Sequence, residues 1–174
     1  MTEPDGRLRV VLEGLALIQA QERFGDEVYV LVTPIHAGVR GETVRHPGPK
    51  QYWKLKKSDK NIDPRIGPGV RPLQHPLAHA HFADGDQLEL AFWEEDFAPI
   101  DPDDPLTIVT LHFQNDPNGQ RIARLALSRK IPDTTETAWI RPPRPEPYGV
   151  AVGATRVVGK GGADYGAYFR LEKD

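Results

Sequence analysis

The stretch Leu90-Ala91-Phe92-Trp93-Glu94-Glu95-Asp96-Phe97-Ala98-Pro99-Ile100-Asp101-Pro102-Asp103-Asp104 runs an apolar, strand-like segment directly into a loop with six carboxylates and two prolines. Carboxylates this dense repel one another unless a cation or water separates them, and hard oxygen ligands on a loop are what Ca²⁺ selects. The apolar part belongs to a strand reading over Gln87 to Trp93, and Leu106 to Phe113 reads as the next strand, so the acidic loop joins two strands.

Outward from this unit the same pattern recurs. Arg7 to Leu12 and Glu27 to Thr33 are rich in valine and leucine with partial period-two alternation, and the polar stretch Gln19 to Asp26 lies between them. Asn115-Asp116-Pro117-Asn118-Gly119 is a dense turn signal, followed by a strand or short helix over Gln120 to Ser128. Gly149 to Val158 and Ala163 to Leu171, broken by Gly159-Lys160-Gly161-Gly162, read as a β-hairpin. Arg141 to Pro147, with four prolines, reads as an extended connector of polyproline type. Pro34 to Ala83 carries many prolines and glycines with little periodicity. A functional loop, a disordered insert or a misread run of elements each fit that stretch.

Seventeen prolines and sixteen glycines in 174 residues leave little room for long helices. The expectation is one all-β domain over residues 1–174, an antiparallel β-sandwich with a long proline- and glycine-rich insertion at about 34–83. Hydrophobic content of 39% and charged content of 27% place the chain among soluble globular proteins. The polar, acidic N-terminus lacks the layout of a signal peptide and no apolar run could span a bilayer, so the expected compartment is the cytoplasm. A net charge of −3 gives no general attraction for nucleic acid, and none is expected as a partner. With no cysteine, disulfides, thiolate metal sites and cysteine nucleophiles are excluded.

Two segments resemble the C2 domain, a calcium- and lipid-binding β-sandwich. Gly25-Asp26-Glu27-Val28-Tyr29-Val30 resembles its second-strand entry. Phe92-Trp93-Glu94-Glu95-Asp96, with Asp101, Asp103 and Asp104 and then Pro105-Leu106-Thr107, resembles its third calcium loop. The resemblance implies a C2-like sandwich whose loop end holds Ca²⁺ through Asp26, Glu94, Asp96 and Asp103 or Asp104, with Asp101 on the same loop. Glu22 would stand in for the other first-loop aspartate, though at a different spacing. Glu94 replaces an expected aspartate, and Thr107 the usual glycine.

Leu73-Gln74-His75-Pro76-Leu77-Ala78-His79-Ala80-His81 sets three imidazoles within seven residues. In an extended chain His79 and His81 share a face, as a transition-metal clamp requires, and Asp84 or Asp86 could complete the set. A hydrogen-bonded surface is the commoner use of such histidines. Lys50 to Lys60 holds five lysines interleaved with Tyr52 and Trp53. Lys50, Tyr52, Trp53, Lys54, Lys56 and Lys57 could meet another protein or an anionic membrane surface, and the bland alternative is a solvated loop anchored to the core by Trp53.

No serine lies in a nucleophile-elbow context and no glycine cluster in a phosphate-loop setting. The reading is therefore a non-enzymatic binding or assembly module, calcium-dependent through its acidic loop end. The alternatives are a structural interaction subunit with no bound ion and a histidine-metal hydrolase.

Overall fold

The structure is a computed structural model that describes residues 7–19, 25–56, 70–96, 103–115, 117–119, 121–129, 140–145, 151–158 and 164–173. Twelve strands occupy it: β1 (Leu8–Gln19), β2 (Asp26–His36), β3 (Val39–Arg40), β4 (Val44–His46), β5 (Trp53–Leu55), β6 (Val70–Ala80), β7 (Gln87–Glu94), β8 (Asp104–Asn115), β9 (Arg121–Arg129), β10 (Ile140–Pro145), β11 (Ala151–Val158) and β12 (Asp164–Lys173). No helix occurs among the described residues, so none there is long and apolar enough to cross a membrane.

The strands form two antiparallel sheets packed as a β-sandwich. One is five-stranded in the order β10-β11-β12-β1-β6. The other is seven-stranded, running β3-β2-β7-β8-β9, with β4 and β5 also paired to β2. The short strands β3, β4 and β5 take successive thirds of one edge of β2: Ile35 pairs Arg40, Val30 pairs His46 and Val28 pairs Trp53.

Period-two alternation builds the core. On β7, Leu88, Leu90 and Phe92 are buried while their neighbours are half-buried. Leu8, Val10, Leu12 and Leu15 of β1, Val28, Val30 and Val32 of β2, and Tyr165, Ala167, Phe169 and Leu171 of β12 join the same cluster. Phe92 and Phe169 meet edge to face across the two sheets, with centroids 6.5 Å apart. A bulge between Leu12 and Gly14 shifts the inward phase of β1 from even to odd positions. Its extra residue, Glu13, is buried and accepts a hydrogen bond from Arg170 at 2.8 Å.

The described parts of the 34–83 stretch are built into the sandwich. They hold the end of β2, all of β3, β4 and β5, and β6. Pro72 and Pro76 hide β6 from a period-two reading. The strand lies at a sheet edge, where a missing N–H is tolerated, and its register with β1 slips beside both prolines. Gln74, between them, has a φ of 50°. The same physics corrects the polyproline connector. Its described part is β10, an edge strand on β11 whose register slips between Arg141 and Arg144, where Pro142 and Pro143 fall. The segment after the Asn-Asp-Pro-Asn-Gly turn is strand β9, not a helix, and Gly119 supplies that turn's positive φ of 78°. The two C-terminal segments form the antiparallel pair β11 and β12.

Candidate metal centre at the acidic end of the sandwich

Strand β2 begins, β7 ends and β8 begins at one end of the second sheet. There Val28 pairs Glu94, and Glu94 pairs Asp104. Because β7 alternates, Glu94 falls on the inward face behind Leu88, Leu90 and Phe92, and it is 0% exposed. Asp104 shares that face because of a bulge. Ala91 pairs Ile108 but Trp93 pairs Pro105, so β8 carries one extra residue. Its inward set changes from Val109, Leu111 and Phe113 to Leu106 and then Asp104, a bulge re-aiming a side chain. Asp96 follows just beyond the strand.

One carboxylate oxygen from each of Glu94, Asp96 and Asp104 lies within 4.8 Å of the other two. An ion bonded at the usual Ca²⁺–oxygen distance of about 2.4 Å can bridge ligands up to roughly 5 Å apart, so the spacing fits. An all-carboxylate donor set suits a hard cation and not a thiophilic one.

The other acidic candidates are placed differently. Asp103 has its oxygens directed at the fold: one accepts from the Tyr29 hydroxyl at 2.8 Å and the other from the Asp96 backbone N–H at 3.1 Å. Asp26 is fully buried at the same end, and the Tyr165 hydroxyl of the opposite sheet donates to it. Glu22 and Asp101 lie outside the described residues.

The outer face of this end is cross-linked. Arg45 binds Glu95 at 3.0 Å and lies 3.5 Å above the Tyr29 ring, which stacks on Trp93 with centroids 6.4 Å apart. The Glu95 N–H donates to the Glu27 carbonyl at 2.7 Å, carrying the β2–β7 pairing one residue past the strand. Burial, and then the hydrogen bond to Asp103, push the Tyr29 phenol well above its usual range, so it stays a neutral donor. Sequence reasoning missed Tyr29 and Tyr165 as supports of the acidic end. Their partners are 74 and 139 residues away, and nothing local signals them.

The histidines separate. His79 and His81 are exposed, whereas His75 is half-buried and turns to His46 of β4, its Nε2 3.0 Å from the His46 Nδ1. Asp86 is engaged with His36 at 2.8 Å and with the Ala83 N–H at 2.8 Å, and Asp84 accepts from the Asn115 N–H at 3.0 Å. Among the described residues no metal-type cluster includes His75, His79 or His81.

In the lysine segment Trp53 belongs to the core at 8% exposed, and Lys54 binds Glu27 at 2.7 Å. Lys50, Tyr52 and Lys56 are exposed, and Lys57 lies outside the described residues. No protein-family model matches the sequence, and no curated protein matches it.

Proposed function

We propose that the protein is a non-enzymatic binding module whose acidic sandwich end takes a hard divalent cation, Ca²⁺ foremost. The observation that carries this reading is the fully buried Glu94, set by strand alternation and by the β8 bulge against Asp104 and Asp96 within 4.8 Å. Three carboxyl groups gathered at the mouth of an apolar core oppose one another's ionisation, and a bound cation would hold them as carboxylates by attraction. The likeness of Gly25 to Val30 and of Phe92 to Thr107 to the calcium loops of C2 domains supports the same reading. The partner of such a module is another protein or an anionic membrane surface, met through Lys50, Tyr52 and Lys56. A structural interaction subunit without an ion is the second reading, favoured by Asp26 and Asp103, whose carboxylates serve tyrosine hydroxyls.

Thermal unfolding with and without millimolar Ca²⁺ separates the two. Binding to the folded state alone adds about 2.7 kcal/mol at a hundredfold excess over Kd, a rise of several degrees in Tm. The rise should vanish in Asp104→Asn and survive in Asp103→Asn. An unchanged Tm for the native protein in millimolar Ca²⁺ would leave the structural subunit as the reading.

A further inference from the structure

Among the described residues, polar contacts that cross from one sheet to the other include Tyr165 to Asp26, the Arg71 guanidinium to the Lys54 carbonyl, His46 to the Leu77 backbone, and His46 to His75. Only the last joins two groups that titrate near neutrality. His46 sits on β4 at the β2 edge of the seven-stranded sheet, and His75 sits on β6, the edge of the five-stranded one. Their nitrogens are 3.0 Å apart and their ring centroids 5.1 Å, an excess close to the span of the two rings' own radii. The nitrogens therefore point at one another. That is the geometry of one neutral imidazole donating to another, and not of two ligands converging on one ion.

We propose that His46 and His75 form a pH-sensitive clasp across this edge of the sandwich, which opens when both rings are protonated and uncovers Trp53. A hydrogen bond between two imidazoles needs one lone pair. Two imidazolium rings offer donors only and repel. Trp53 rests edge to face on His75, with centroids 5.2 Å apart, so it loses that cover when the rings part.

Among the described residues, the charged groups on the neighbouring strands face or bind other groups. On β4, Arg45 faces the outer side and binds Glu95. On β5, Lys54 binds Glu27 of β2. On β6, Arg71 donates to the Lys54 carbonyl, while His79 is exposed. β1 sets the apolar Leu12 opposite His75, and β2 sets Val30 opposite His46. Burial holds both rings below their ordinary value of 6.5; for His46 the neighbouring His75 adds to the effect, and a hydrogen bond with the Leu77 backbone opposes it. The unfolded chain thus binds more protons than the folded one as pH falls below about 6.5, and the clasp's contribution, complete above that value, is lost on acidification.

The test is tryptophan emission and acrylamide quenching of the full chain from pH 7.5 to 5.0, with Trp53→Phe identifying the signal from Trp53. The native protein should show a reversible red shift and increased quenching below pH 6.5, both absent in Trp53→Phe. His46→Gln and His75→Gln keep hydrogen-bonding capacity without titrating, so each should flatten the transition while preserving the β-rich circular dichroism spectrum. Should one variant fail to fold, the other decides, and imidazole Cε1–H titration by NMR in the native protein reads the same groups directly. A transition that persists in a folded Gln variant, or two rings that titrate at or above 6.5, would overturn the clasp.

Discussion

Glu94 is the side chain on which the cation reading turns, since a fully buried carboxylate beside two others must be offset by something. Glu94→Gln keeps its shape and removes one of three clustered carboxyl groups that oppose one another's ionisation. In chelator-treated protein it should raise stability by on the order of 1 kcal/mol, or about 2–4 °C in Tm, while abolishing any Ca²⁺-dependent rise. A lower Tm without cation would show that Glu94 serves the fold through its charge. Tyr29→Phe addresses the neighbouring carboxylate. It removes the 2.8 Å bond to Asp103 and should cost about 1 kcal/mol in urea unfolding, leaving the Ca²⁺ response intact. The acidic letters were plain in the sequence, but the division of labour between Asp103 and Asp104 was not. It depends on one extra residue in β8, and a bulge leaves no mark in composition or spacing.

At the scale of elements, Gly25 fixes how the chain enters β2 beside the acidic end. It has a φ of 103°, and a Cβ there would overlap the Leu55 carbonyl oxygen. Both the conformation and the contact forbid a side chain, so Gly25→Ala should destabilise by about 2 kcal/mol or more, read by chemical denaturation. The β6–β7 connection depends on Asp86 in a similar way. Burial alone would push its carboxyl up, yet hydrogen bonds with His36 and with the Ala83 and Ala37 backbone outweigh this and hold it below its usual 3.8. A carboxyl lowered on folding stabilises at neutral pH, and that contribution is lost as pH falls below about 3.8. Asp86→Ala should therefore lose about 1–3 kcal/mol at pH 7 and show a shallower acid limb than the native protein. The regular strands were legible because burial alternates along them, as on β7. Strands β6 and β10 were not, because each is an edge strand that carries prolines at register slips. A reading based on alternation meets a break there, while the sheet meets only an open edge.

Across the described residues the two sheets share one apolar cluster, to which β1, β2, β5, β6, β7, β8 and β12 all contribute. The sandwich class was legible because proline and glycine punctuation excluded helices and left short alternating runs. What joins the sheets beyond that core was not, since residues such as Tyr165 and Asp26 stand 139 positions apart. That pair lets the unity of the sandwich be tested. Tyr165 is fully buried on the five-stranded sheet and donates to the fully buried Asp26 of the seven-stranded one. Tyr165→Phe keeps the ring in the core and removes only the hydroxyl, so the lost stabilisation measures the cross-sheet bond with little cavity contribution. A hydrogen bond to a buried carboxylate is worth about 1.5–3 kcal/mol, and the urea midpoint should fall accordingly. If the sheets unfold together, the denaturant slope stays at the native value, because the same surface is exposed in one step. A shallower slope, or fluorescence and circular dichroism transitions that no longer coincide, would mean that the two sheets had come apart as separate cooperative units.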